Sequence, residues 1–228
     1  MLRIEIQKPL QGSQGEMKLD VHFSVKSGAF VVLMGESGSG KTTLLRILAG
    51  LEKAEGNIDV EGVSWLKGKT LLPPQKRGIG FVFQDYALFD NMTVEENLLF
   101  VQNDKTLAAK LLEITELSQL SKRNVKNLSG GQKQRVNLCR AMMNQPKLLL
   151  MDEPFSALDD KIKVKLQEEI LKLHKVFGTT TLMVSHDAQT SYALADRILV
   201  LEQGKIIADG TKEEILVKKE TMTYSLIR

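Results

Sequence analysis

Eight residues of this chain, Gly35-Glu36-Ser37-Gly38-Ser39-Gly40-Lys41-Thr42, follow the spacing G-x-x-x-x-G-K-[ST]. That pattern wraps the phosphates of a nucleotide. Glycine lets the backbone turn tightly and approach an anion closely. Lys41 can reach β- and γ-phosphates, and the Thr42 hydroxyl can ligate Mg²⁺. Gly35 through Thr43 are therefore the expected nucleotide-binding residues. Two acids, Asp152 and Glu153, end the apolar run Leu148-Leu149-Leu150-Met151. In open α/β sheets a carboxylate at a strand end lies beside the phosphate loop. Asp152 can hold the Mg²⁺ shell, directly or through water. Glu153 projects differently and can polarise an attacking water. A second anion site is legible at Leu128-Ser129-Gly130-Gly131-Gln132. Ser129 is a good N-cap, and Gly130 and Gly131 expose N–H groups at the positive end of a helix dipole.

These groups need elements to hold them. Phe30 to Met34 is a short apolar run, the mark of a buried parallel strand. Thr43 to Gly50 reads as a helix with glycine at its end. Strand, glycine loop and helix together aim backbone N–H groups at an anion. Leu19, Val21, Phe23 and Val25 alternate with polar residues and predict a half-buried strand, with His22 facing solvent. Asn57 to Val60 and Ile79 to Phe83 are strand-like, and Leu71 to Arg77, with Pro73-Pro74, reads as a loop. Thr93 and Glu96 have capping-box spacing. Helices are expected over Thr106 to Thr115 and Gly130 to Met143. Ile162, Leu166, Ile170, Leu173 and Phe177 recur at helical spacing. Thr180 to Val184 is a β-branched strand leading to Ser185-His186-Asp187. Gln203-Gly204 between Ile198 to Leu201 and Lys205 to Ala208 signals a hairpin. The order predicts an α/β chain with a mostly parallel core, an antiparallel β layer early, and a helical insertion over about residues 84–146.

Composition narrows the class. A chain of 228 residues with 43% hydrophobic and 26% charged residues has the make-up of a globular protein with an ample core. A net charge of +3 is too small to argue for nucleic acid. Cys139 stands alone, which excludes an internal disulfide and suggests a reducing compartment. No stretch has the length of a membrane span, and the first residues lack the shape of a signal peptide. There is no internal repeat or low-complexity tract.

A phosphate loop alone fits kinases, GTPases and motors; the remaining motifs are more selective. Leu128 to Gln132 resembles the signature motif of the ABC-transporter ATPases. Phe83-Gln84-Asp85 resembles that family's Q-loop, His186 its switch histidine, and Ser156-Ala157-Leu158-Asp159 its D-loop. The resemblance covers essentially the whole chain. It implies a P-loop NTPase fold: one nucleotide-binding domain over 1–228, with a RecA-like core of 1–83 and 147–228 and a helical subdomain over 84–146. It implies Mg-dependent ATP hydrolysis in a head-to-tail sandwich of two copies. Ser129, Gly130, Gly131 and Gln132 would bind the γ-phosphate of a nucleotide held by the opposite subunit. Glu153 would be the general base. Gln84 would touch the metal and the water, so that Thr42, Gln84 and Asp152 serve Mg²⁺. His186 would contact the γ-phosphate.

The implied partners are integral membrane permease subunits and, through them, a substrate-binding protein, with the chain on the cytoplasmic face of the membrane. Tyr86 to Met92 would meet the permease. Leu72 to Arg77 and Phe83 to Phe89 look most like ATPases of oxyanion importers, molybdate and sulfate among them. A lipid or lipoprotein exporter and a division-linked complex are rival readings with the same core chemistry, and a soluble non-transport ABC protein is a third. Two departures stand out. The family places an adenine-stacking aromatic about two dozen residues before the phosphate loop, but Lys8 to Glu16 holds none. Leu10 or Met17 is the expected substitute. The β-barrel regulatory domain found in many importer ATPases is expected to be absent, since the sequence ends at Arg228.

Overall fold

The computed structural model describes residues 1–12, 15–156 and 158–215. They form two compact units. One is Met1–Arg77 with the chain from Leu182 onward, and the other is Gly78–Thr181.

The first unit begins with a long antiparallel ribbon. β1 (Leu2–Gly12) and β2 (Gly15–Val25) pair along their length, from Leu2 opposite Val25 to Gly12 opposite Gly15. Leu2, Ile4 and Ile6 on β1 and Leu19, Val21, Phe23 and Val25 on β2 are buried. This is the period-2 pattern of a sheet with one covered face. β4 (Glu55–Val60) pairs with the other edge of β1, and β5 (Val63–Gly68) and β6 (Thr70–Leu71) follow, giving the order β2-β1-β4-β5-β6. This is the expected antiparallel layer. It is larger than the alternation of β2 alone predicts, because β1, β5 and β6 join it. A short 3₁₀ turn, Pro74–Lys76, occupies the expected loop before Arg77.

β3 (Phe30–Met34) is buried at all five positions and pairs in parallel with β10 (Arg197–Glu202). β11 (Lys205–Thr211) closes the edge antiparallel to β10 through the Gln203-Gly204 turn. Both turn residues have positive φ, +46° and +79°, as a tight two-residue hairpin requires. α1 (Lys41–Ala49) leaves β3 through the glycine loop and stops at Gly50, whose φ of +78° is the left-handed helix stop. α6 (Ala188–Leu194) completes the unit.

In the second unit β7 (Ile79–Val82) and β8 (Leu148–Asp152) run parallel, in register from Ile79–Leu148 to Val82–Met151. Between them lie α2 (Val94–Leu99), α3 (Lys105–Ile114) and α4 (Gly130–Met142), and after them α5 (Asp160–Phe177). Thr93 and Glu96 form both bonds of the capping box. α5 buries Leu166, Ile170 and Leu173 of the expected stripe together with one acid, Glu169, while Ile162 and Phe177 at its ends are half-buried. Glu169 Oε2 lies 2.9 Å from Arg135 Nε of α4. Burial pushes the Glu169 carboxyl up to about 7 even beside that cation. Cys139 packs in the core against Thr115 Oγ1 at 3.2 Å, and burial raises its thiol to about 12, so it behaves as a small inert core residue. β9 (Thr180–Val184) is buried throughout, and the division between the units falls inside it. The α/β class with mixed pairing is the expected one.

Candidate nucleotide site

The glycine loop of the first unit is shaped for close approach. A Cβ at Gly35 would stand 2.1 Å from Leu201 O and 3.1 Å from Ser39 Oγ, so only glycine fits there. Gly40 takes φ +104° at the N-cap of α1 and offers no side-chain cap. The helix's own bonding begins with Leu44 N–H to Gly40 O at 2.9 Å, so the N–H groups of Lys41, Thr42 and Thr43 precede the ladder. Lys41 is buried and folds over the loop, donating from Nζ to Gly35 O at 2.8 Å and Glu36 O at 2.6 Å. Ser39 Oγ is buried without a hydrogen-bond partner. A loop with a hydroxyl buried inside it and an ammonium crossing it is a cradle for a polyanion.

Beside this loop opens a cavity of about 690 Å³. Its walls come from the start of β2 (Gly15 to Lys18), the loop (Glu36 to Ser39) and the β10–β11 turn with Lys205 and Ile207. None of these wall residues is aromatic. Met17 supplies apolar surface, as expected. Leu10 does not line the cavity, although its Cδ1 and the Met17 Cε lie 3.4 and 3.5 Å from a Cβ built on Gly40. The sequence points to Met17 but not to Gln203, Lys205 and Ile207. The hairpin signal there says nothing of where the hairpin points. His186 also belongs to this unit and is exposed. Ser185 N–H, just before it, donates to Leu33 O on β3 at 3.2 Å, which ties the histidine's loop to the strand that feeds the phosphate loop. Asp187 caps α6, accepting from Gln189 N–H at 3.0 Å.

The second unit holds the remaining expected site residues. The parallel register of β7 and β8 places exposed Gln84 and buried Asp152 at carboxyl ends of neighbouring strands. That is where open α/β sheets bind ligands. Asn137 Nδ2 on α4 donates to Phe83 O at 2.9 Å and holds the β7 exit against the helix. Glu153 adopts φ +46°, a left-handed conformation that is uncommon outside glycine. It turns the backbone out of the line of β8, and Ser156 fixes the turn by donating from Oγ to Glu153 O at 3.0 Å. Backbone held this way clusters at functional sites.

Ser129 caps α4 as expected, and Gln132 completes a capping box. Ser129 Oγ accepts from Gln132 N–H at 3.4 Å, and Gln132 Oε1 accepts from Ser129 N–H at 3.0 Å. A Cβ at Gly131 would meet Ile162 Cγ2 of α5 at 2.6 Å, so that glycine serves helix packing as well as N–H exposure. Tyr86 and Ala87 have positive φ, and Arg140 donates to both their carbonyls, at 3.2 and 2.6 Å. Phe89 packs on exposed Phe100 with ring centroids 4.5 Å apart. In the Ser156 to Asp159 stretch, Ala157 lies outside the described residues; Asp159 caps α5 by accepting from Ile162 N–H at 3.0 Å.

Among the described residues no group of three or more His, Cys, Asp or Glu could hold a metal. Within the second unit the Gln84 amide and the single carboxylate Asp152 are the oxygen donors at the β7 and β8 strand ends, a set that suits an ion bound through one or two carboxylates, substrate phosphates and water, as Mg²⁺ is. No helix among the described residues is long and apolar enough to cross a membrane.

The chain is similar to known proteins across this whole region. The ABC transporter family profile matches residues 19–156. The Fe(3+) ions import ATP-binding protein FbpC 2 of Rhizobium meliloti is 44% identical over 94% of this chain and 56% of its own length. The sulfate/thiosulfate import ATP-binding protein CysA of Mesorhizobium japonicum is 43% identical over 86% of this chain and 59% of its own. A probable sulfate/thiosulfate import ATP-binding protein CysA of Chlorella vulgaris is 45% identical over 86% of this chain and 85% of its own. The chain thus spans little more than half the length of the first two. The dimeric ATP-binding cassette MJ0796, in a post-hydrolysis state bound to ADP and Pi, superimposes with a TM-score of 0.79 at 29% identity, over 93% of this chain and 99% of that one.

Proposed function

This chain belongs to the ABC transporter family, and from that premise we propose that it is the Mg-dependent ATP-hydrolysing subunit of an importer for a small oxyanion such as molybdate or sulfate. The observation that carries the nucleotide reading is the glycine-capped start of α1, with Lys41 folded over the loop and the 690 Å³ cavity beside it. The importer reading is supported by the relatives, whose names assign them to import of sulfate/thiosulfate or Fe(3+).

In this reading Gly35 to Thr43 bind the triphosphate, with Lys41 on the β- and γ-phosphates. Thr42, Gln84 and Asp152 would hold Mg²⁺, which would supply positive charge against the phosphate oxygens. Glu153 accepts a proton from the attacking water, and His186 holds the γ-phosphate. Ser129 to Gln132 serve the nucleotide of a second copy, so the working unit is a head-to-tail pair. The dimeric state of MJ0796 with ADP and Pi supports that arrangement. The core over 1–83 and 147–228 binds nucleotide, and the helical subdomain over 84–146 carries the Gln84 to Met92 stretch that docks on permease subunits at the cytoplasmic face of the membrane. A substrate-binding protein delivers the cargo.

The test is phosphate release from Mg-ATP by the purified chain, beside its retention on a membrane fraction containing its permease. Turnover that requires Mg²⁺ is expected. A folded chain that neither binds nor hydrolyses Mg-ATP overturns the reading. A permease that transports a cation or a lipid overturns the oxyanion assignment alone.

A further inference from the structure

Arg77 ends the 3₁₀ turn before β7, and its side chain is 4% exposed. A buried cation is costly unless its donors are met. Four backbone carbonyls meet them. Nη1 donates to Ile47 O at 2.9 Å and Leu48 O at 2.5 Å, Nε to Leu72 O at 2.9 Å, and Nη2 to Trp65 O at 3.2 Å. The guanidinium also sits 5.3 Å from the centre of the Trp65 ring. Ile47 and Leu48 belong to the last turn of α1, whose carbonyls form the negative pole of that helix. Gly50 leaves room for the guanidinium: a Cβ there would lie 3.0 Å from Arg77 Cζ and Nε. Burial lowers this guanidinium to about 10, so it stays charged at neutral pH.

α1 is nine residues long, which puts roughly 13 Å between its ends. Arg77 grips one end; Lys41 and Thr42 stand on the other. We propose that Arg77 is a positioning residue for nucleotide binding. By tying the C-terminal carbonyls of α1 to the backbone of β5 and of the residue after β6, it fixes the direction in which α1 presents Lys41, Thr42 and its first N–H groups. It touches no phosphate and acts only through the helix. This rests on the nucleotide reading of the Gly35 to Thr43 loop.

The experiment compares the full chain with R77M and R77K. Titration with a fluorescent ATP analogue in Mg²⁺ gives Kd, steady-state hydrolysis gives KM and kcat, and thermal unfolding checks the fold. R77M removes every donor and should raise Kd and KM about tenfold, with kcat at saturation changing less than threefold. R77K keeps the charge and one or two bonds and should recover most of the loss. A variant that is merely less stable loses active fraction, lowering kcat with KM unchanged. A folded R77M with wild-type Kd and KM overturns the proposal. If R77M does not fold, hydrogen exchange in the unmutated chain decides. Coupling is reciprocal, so nucleotide that depends on the Arg77 tie must also tighten it. Slower exchange over residues 65–77 with bound Mg-ATPγS is expected, and unchanged exchange there overturns the proposal. An unmutated chain that binds no nucleotide overturns the proposed function, and this inference with it.

Discussion

Glycine stands at the start of both α1, as its N-cap Gly40, and α4, as its first residue Gly130, yet only the N-cap of α4 is a side-chain cap. Gly40 starts α1 with no side-chain cap, whereas Ser129 and Gln132 close a reciprocal box over the first turn of α4. A box of this kind stabilises a helix start by about 1 kcal/mol and occupies two of its donors. Gly40 thus brings no side-chain acceptor to the first turn of α1, where the helix dipole favours an anion. In α4 the box meets the Ser129 and Gln132 N–H groups and leaves those of Gly130 and Gly131 outside it. The anchoring behind the two helices differs as well. α1 is held at its far end by a cation on carbonyls, and α4 along its side by the Arg135–Glu169 pair. In the proposed reading the first unit binds nucleotide, and the second holds the groups that act in turnover with a second copy.

The strongest test of this division is Glu153→Gln. The change keeps shape and removes the base, and a positioned general base contributes roughly 10²–10⁴ in rate. Hydrolysis should fall by that factor while Kd for Mg-ATP stays within about threefold, and the ATP-bound pair should persist in size-exclusion chromatography. Equal loss of binding and turnover would erase the distinction between the units.

A pair of variants probes the two helix starts directly. Lys41→Ala removes a charge-assisted contact worth about 1.5–3 kcal/mol and should weaken binding about 10- to 100-fold within its own subunit. Ser129→Arg should leave single-chain binding nearly intact and stop hydrolysis by filling the partner-facing site. Mixed together, the two variants should regain activity, because each heterodimer keeps one site with both groups intact. Heterodimers that form and stay silent would show that α1 and α4 do not share a nucleotide, or that both sites must fire together.

The α4 anchor yields a pH signature. The buried Glu169 carboxyl is raised to about 7 by desolvation, against Arg135, Lys165 and Lys172, with Glu116 adding to the rise. The folded protein therefore holds a proton that the unfolded chain releases at lower pH. That contribution to stability is complete below the unfolded carboxyl value and is lost as pH rises through about 7. Between about pH 5 and 7.5 it amounts to about 2 kcal/mol. Denaturant unfolding of the wild type, minus that of Glu169→Gln, should show a decline of this sign and size. A flat difference would mean that the pair stays ionised throughout.

Much of this was legible in the residues. Glycine spacing, the Ser129 cap, the apolar runs of β3 and β8, and the Asp152-Glu153 ending report backbone conformation and burial, which residue type encodes directly. What escaped was of another kind. β1 alternates as regularly as β2, but Lys8, Pro9 and Gln11 dilute its outer half. The Arg77 tie escaped because its acceptors are backbone carbonyls, which every residue carries. The left-handed Glu153 escaped because glutamate does not favour that conformation; the surrounding fold imposes it. The cavity walls at Gln203 to Ile207 come from a hairpin some 160 residues after the loop they flank, and no local pattern points across that distance.

The smallest expected effect lies in that cavity. Among the described residues its walls contain no aromatic ring, and Met17 and Ile207 are apolar members of it. Base stacking on an aromatic is worth about 1–3 kcal/mol where measured in nucleic-acid binders, and this cavity offers none of it. In the proposed reading the grip on nucleotide then comes from Lys41, the loop N–H groups and Mg²⁺, all of which would see phosphate and not the base. The wall's side chains are acceptors only at Glu16, Glu36 and Glu202, donors only at Lys18 and Lys205, and both at Ser37, Ser39 and Gln203, a mixture that suits the guanine edge as well as the adenine edge. GTP should therefore bind within about tenfold of ATP, a difference of at most about 1.4 kcal/mol. Competition between Mg-ATP and Mg-GTP measures it. A hundredfold preference for ATP would show that the cavity beside α1 reads the base, and the first unit would then be more than a phosphate cradle. Met17→Trp tests the same point from the other side: a ring added at the cavity wall should tighten ATP binding about tenfold if the base lies there, and should leave it unchanged if it does not.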